Sequence, residues 1–194
     1  MALEERVYSV LIVSQTEKFK TSLAPLLPKT NFSPVTFAPS FSSAKKILLE
    51  RHYDLLIINT PLLDDFGTKL AIDASNEKGV ATLLLVKQDL YDETYSKVCR
   101  FGVFTLAKPT SPQNFRMAID WLCALREKLR KFEKTISSVE DKMQEIRLVN
   151  RAKWILIDTL KMSEEDAHYY IEKQAMDKCL SKTDIAKNII SSYK

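Results

Sequence analysis

Every glycine and proline in this 194-residue chain lies before residue 113. The three glycines are Gly67, Gly79 and Gly102, the last of seven prolines is Pro112, and the 82 residues from 113 to 194 hold neither. Gly and Pro punctuate turns, so the first stretch reads as many short elements and the second as long helices. Charge divides the same way. Residues 1–114 carry 13 Lys and Arg against 12 Asp and Glu, and residues 115–194 carry 16 against 13. Most of the net charge of +4 therefore sits in the helical part.

In the first part, apolar β-rich runs occur at 7–13, 33–38, 54–59, 81–86 and 102–107. Helix-compatible stretches lie between them at 16–27, 42–51, 68–77 and 90–100. Runs such as LLIIN and LLLV are continuously apolar, as strands covered by helices on both faces must be. The alternation predicts right-handed βαβ units and an α/β fold, a flavodoxin-like doubly wound parallel sheet of five strands, for which the order 2-1-3-4-5 is expected by analogy with such folds.

A helix opens near Ser111-Pro112, with Pro suited to its first turn. From there apolar residues recur at 3-4 spacing through Phe115, Ala118, Leu122, Leu125, Leu129, Phe132, Ile136, Val139, Met143 and Ile146, then Asn150, Lys153, Ile157 and Leu160. Only Asn150 and Lys153 are polar. So narrow a seam, flanked by charges, predicts a coiled coil joining two copies of the chain, with Leu125 to Ile146 as its dimerisation face. The alternative is that the stripe packs on the chain's own first domain. Ser163 with Asp166, and Ser181 with Asp184, read as helix starts, giving short helices at 163–179 and 181–192. The expected domains are 1–114, a coiled-coil helix 115–146, and a three-helix head 147–194.

Three scattered cysteines (Cys99, Cys123, Cys179) and two histidines (His52, His168) form neither a disulfide framework nor a zinc motif. No apolar run is long enough to span a membrane, and MALEERVYSV has no secretory pattern. These features predict a cytoplasmic location. The chain carries no P-loop, no G-x-S-x-G and no G-x-G-x-x-G, so neither an enzyme nor a cofactor is expected.

Lys108-Pro109 after the fifth run, and Thr60-Pro61 with Gly67 after the third, resemble the receiver domain of two-component response regulators, over roughly residues 5–130. In that family two acids after the first strand and an Asp ending the third hold Mg²⁺. The latter takes up a phosphoryl group, a Ser or Thr ends strand four, and a Lys follows strand five. By this resemblance the acids correspond to Ser14 and Gln15, the acceptor to Asn59 and the hydroxyl to Val86; only Lys108 remains. Ser and Gln offer Mg²⁺ no charge, and an amide is no phosphoryl acceptor. The resemblance thus implies a pseudo-receiver, controlled by a regulatory protein partner, a small ligand at the strand ends, or expression level. Asp64 and Asp65 read as loop or helix-capping acids.

Residues 147–192 resemble the ANTAR domain, the RNA-binding module of transcription antitermination regulators. The resemblance rests on Arg151-Ala152-Lys153, on Met162 to Ala167, on Tyr170 to Asp177 and on Ile185-Ala186. Trp154 and His168 depart from the family's usual residues. The family's head grips paired hairpin loops of leader RNA as a dimer, so that a terminator does not form. The residues themselves suit RNA. Arg151, Lys153, Lys161, Lys173 and Lys178 can meet phosphates, and His168, Tyr169 or Trp154 can stack on splayed bases. With Ala152 at the centre of the motif, these form the expected RNA-binding set. A DNA-binding regulator and a protein-interaction scaffold are the other readings.

Overall fold

The computed structural model describes residues 6–193, apart from the side chains of residues 77 and 78. The opening residues, on which the absence of a secretory pattern was judged, lie partly outside it. The chain forms β1 (Tyr8–Val13), α1 (Glu17–Leu23), β2 (Phe32–Ala38), α2 (Phe41–Glu50), β3 (Leu55–Asn59), α3 (Thr68–Lys78), β4 (Ala81–Lys87), α4 (Tyr91–Val98) and β5 (Phe104–Lys108). The helices α5 (Pro112–Leu160), α6 (Glu164–Lys178) and α7 (Lys182–Ser192) follow. Pro25 turns the end of α1 into a short 3-10 segment, Ala24–Leu26.

The five strands are parallel, as the alternation of runs predicted, and take the order β2-β1-β3-β4-β5 expected by analogy. Successive strand residues point to opposite faces, and the sheet buries both. Leu11, Val13, Leu56, Ile58, Leu84 and Val86 pack against Ala44, Leu48, Leu70 and Ala74 of α2 and α3. Val10, Ile12, Leu55, Ile57, Leu83 and Leu85 pack against Leu23 of α1 and Phe115, Ala118, Ile119 and Leu122 of α5.

Two compact units divide at Arg130 and Lys131. The division falls beyond the expected boundary at 114 because the first turns of α5 close one face of the sheet. Leu125 packs against that same core, and Leu129 is half-buried. The core therefore already covers part of Leu125, one residue of the expected dimer face. A cluster of ions holds this part of α5 to the amino end of β3. Asp54 accepts from Arg126 Nε at 3.2 Å, from Arg130, and from Ser9 N and Oγ at 3.0 Å.

In the second unit Ala152 and Leu156 of α5 meet Ala167, Ile171 and Ala175 of α6 and Ile185, Ala186 and Ile189 of α7. The alanines allow close helix approach. Both expected caps are present: Ser163 Oγ accepts from Asp166 N and Ser181 Oγ from Asp184 N, each at 3.1 Å. Cys179, in the left-handed region at φ 52°, ends α6 where glycine is usual.

Candidate functional site

Two places in the molecule gather functional chemistry. The first is the corner where the strands end. Ser14, Asn59 and Lys108 continue the strand positions that face α1 and α5. Lys108 Nζ donates to Asn59 Oδ1 at 2.6 Å and to the Thr60 carbonyl. Asn59 Nδ2 in turn donates to Ser14 Oγ at 3.1 Å. Gln15, next to the buried Ser14, is exposed.

Val86 does not join this corner, contrary to expectation. Its side chain packs in the core on the opposite face, and the β4 residue in register with Lys108 is Lys87. The reason is the two-residue period of a strand: a one-position offset moves a side chain to the other face. Burial, and next the neighbouring Lys87, lower the pKa of the Lys108 ammonium. Asp64 is engaged elsewhere, accepting from Phe41 N at 2.7 Å and Ser42 N at 3.0 Å at the start of α2. Asp65 accepts from Gly67 N at 2.6 Å. The Mg²⁺ site implied by the receiver resemblance is not matched by these residues. Ser14, Gln15 and Asn59 offer no carboxylate, and among the described residues no cluster of His, Cys, Asp and Glu fits a metal.

The second place is the surface of the helical unit. Arg151 is exposed on α5, and Trp154, at 70% exposure, lies three residues on. With exposed Arg147 they keep the i, i+4, i+7 spacing of one helix face. On α6, Tyr169 (65%), Lys173 and Met176 (79%) repeat that spacing. Arg147 and Met176 were absent from the expected set. Their signal was the helical spacing from Arg151 and from Tyr169.

Other members of the set are placed differently. Ala152 is fully buried and packs helices together, so it has no surface to offer RNA. Lys153 is mostly buried, and its Nζ lies 3.0 Å from Glu164 Oε1, so it is already engaged with the start of α6. His168 Nε2 lies 3.3 Å from Glu172 Oε1, which also pairs with Lys182. The hydrogen bond and charge of Lys182 hold the Glu172 carboxyl below its usual range. Lys161 is exposed in a left-handed turn after α5, and Lys178 is exposed at the end of α6.

The family model of the ANTAR domain matches residues 137–190. It begins inside α5, ten residues before the expected head. The signal receiver domain of an HD domain-containing protein from Pseudomonas fluorescens Pf-5 is similar in structure, with TM-score 0.58 and 22% identity over 68% of this chain and 96% of that one. A response regulator receiver domain protein from Clostridium thermocellum gives 0.55 and 18%, over 63% of this chain and 98% of that one. A structure named adenylate cyclase, from Rhodopirellula baltica, gives 0.60 and 16%, over 67% and 97%. At these identities the likeness concerns the fold alone. No curated protein matches the chain. The chain thus joins a domain of the receiver fold to an ANTAR domain.

Proposed function

We propose that the protein is a transcription antitermination regulator, not an enzyme, that binds hairpin-loop leader RNA as a dimer and so keeps a terminator from forming. The observation that carries this reading is the ANTAR match over residues 137–190. It falls on a helical unit whose outward stripes pair cations with aromatic or soft apolar side chains, the combination that holds phosphates and stacks unpaired bases. Five further seam residues, Phe132, Ile136, Val139, Met143 and Ile146, are each at least half exposed at 4-3-4-3 spacing. A second copy of the same helix would cover them.

The receiver-type domain, in this proposal, accepts no phosphoryl group. Asn59 has no carboxylate nucleophile, and Ser14 and Gln15 cannot anchor Mg²⁺. Regulation then comes through a partner protein or a ligand rather than a kinase. Incubation with acetyl phosphate and Mg²⁺ should leave the intact mass unchanged; one added phosphoryl group at the strand ends would end the pseudo-receiver reading.

The function itself is tested by binding the full chain to a hairpin-loop RNA and to duplex DNA of the same sequence. Preference for the RNA is expected. Preference for duplex DNA would favour a DNA-binding regulator, and binding to neither would favour an interaction scaffold.

A further inference from the structure

A cavity of about 290 Å³ opens beside the strand-end corner, between α1 and the start of α5. Its walls are mainly apolar, with Phe19, Leu23, Leu85 and Phe115 among them. Lys108 and Thr110 also line it. The Thr110 hydroxyl oxygen is buried and has no hydrogen-bond partner among the described residues. Such an atom costs free energy unless something bonds to it.

The charge at this corner is uncompensated as well. Among the described residues no carboxylate lies within ion-pair distance of Lys108; its two partners, Asn59 Oδ1 and the Thr60 carbonyl, are both neutral. An ammonium has three donors, so one is left over. Lys87, in register with Lys108, adds a second positive charge. The site therefore offers a half-buried cation and an unsatisfied hydroxyl at the edge of an apolar hollow.

From this we infer that the cavity binds a small organic carboxylate: an anionic head on Lys108 and Thr110, and an aromatic or branched aliphatic body among the side chains of α1, β4 and α5. At about 30 Å³ per water, the hollow holds roughly ten waters, the size of a substituted benzoate. A bare phosphate would satisfy the charge but leave the apolar walls wet. The inference rests on the reading that this corner takes no phosphoryl group, and it is independent of RNA binding.

Calorimetric titration of the full chain with 4-methylbenzoate, 4-methylbenzamide and inorganic phosphate tests it. The acid should bind, and the amide should bind at least about tenfold more weakly, through loss of one charge-assisted hydrogen bond. Ser22→Trp, on the exposed side of α1 at the cavity rim, should abolish binding while circular dichroism stays unchanged. Lys108→Met should bring acid and amide to equal affinity. No heat from the acid up to about 10 mM, binding unaffected by Ser22→Trp, or phosphate binding as tightly as the acid would each overturn the inference. A phosphoryl group gained from acetyl phosphate would instead bring down the pseudo-receiver reading beneath it.

Discussion

Asp54 shows how one carboxylate can tie a long helix to a sheet. Burial works to raise its pKa, yet the Ser9 N–H and the hydrogen bonds of Arg130 and Arg126 outweigh that and hold it below the usual 3.8. Its side chain and that of Arg126 are each only 13% exposed, so removing the charge leaves two guanidinium groups poorly solvated. Asp54→Asn should cost on the order of 3 kcal/mol at neutral pH, measured by urea unfolding. A folded pKa below the unfolded one means stability that is complete above the unfolded value and lost as pH falls through the folded value. The gap between wild type and Asp54→Asn should therefore narrow as pH falls below the usual carboxylate value of 3.8 and through the lower folded value. A gap that persists into acid would show that the carboxylate's charge is not what matters. Asn59 at the opposite end of β3 makes the contrasting case: it gives Lys108 only a neutral acceptor.

Along α5 a single continuous helix serves three surroundings. Phe115, Ala118, Ile119 and Leu122 are buried under the sheet, Phe132 to Ile146 are exposed, and Ala152 and Leu156 are buried in the head. The 3-4 spacing runs through the first two without a break, which is why sequence periodicity did not separate them. Replacing Ile136 and Met143 together with Asp would bury charges in both strands of a dimer seam, at several kcal/mol. Sedimentation should then show a monomer at micromolar concentration; an unchanged sedimentation coefficient would remove the coiled-coil dimer. A second expectation concerns the end of α6. Cys179 holds a left-handed conformation that costs an L-residue roughly 1–2 kcal/mol, and its side chain makes only a weak contact with the Met176 carbonyl. Cys179→Gly should raise stability by up to about 1 kcal/mol in thermal unfolding, offset in part by glycine's greater unfolded-state entropy.

On the proposed role in RNA binding, the structure separates exposed cations from those already engaged. Arg151 is exposed, whereas Lys153 is mostly buried against Glu164. Arg151→Ala is thus expected to weaken binding to all hairpin sequences and to lower the slope of log K against log salt by about 0.7–0.9. Tyr169→Ala should cost about 1–3 kcal/mol with little change of slope, as the loss of a stacking platform does. Lys153→Ala should act through the seating of α6, lowering the head's thermal stability before affinity. If folded Arg151→Ala and Tyr169→Ala proteins bind like wild type, the RNA face lies elsewhere.

The strand order came only by analogy with a known fold, whereas the strands, the glycine- and proline-free helices and the serine caps were all legible in the residues. They depend on local signals: period, continuous apolar runs, turn formers and capping side chains. That Ser14, Gln15 and Asn59 carry no carboxylate was legible too, but only the resemblance to receiver domains gave those positions a meaning. Contacts between distant parts of the chain were not. Nothing near Val86 in sequence says which face of the sheet it meets, and one position of offset exchanges it for Lys87 beside Lys108. Nor could spacing tell that Leu125 was already covered, that Ala152 was buried, or that Lys153 had found Glu164. Apolar and basic side chains look alike in a sequence whether their partner is the same chain, a second copy or RNA. Only packing, which removes surface from water at particular places, distinguishes them.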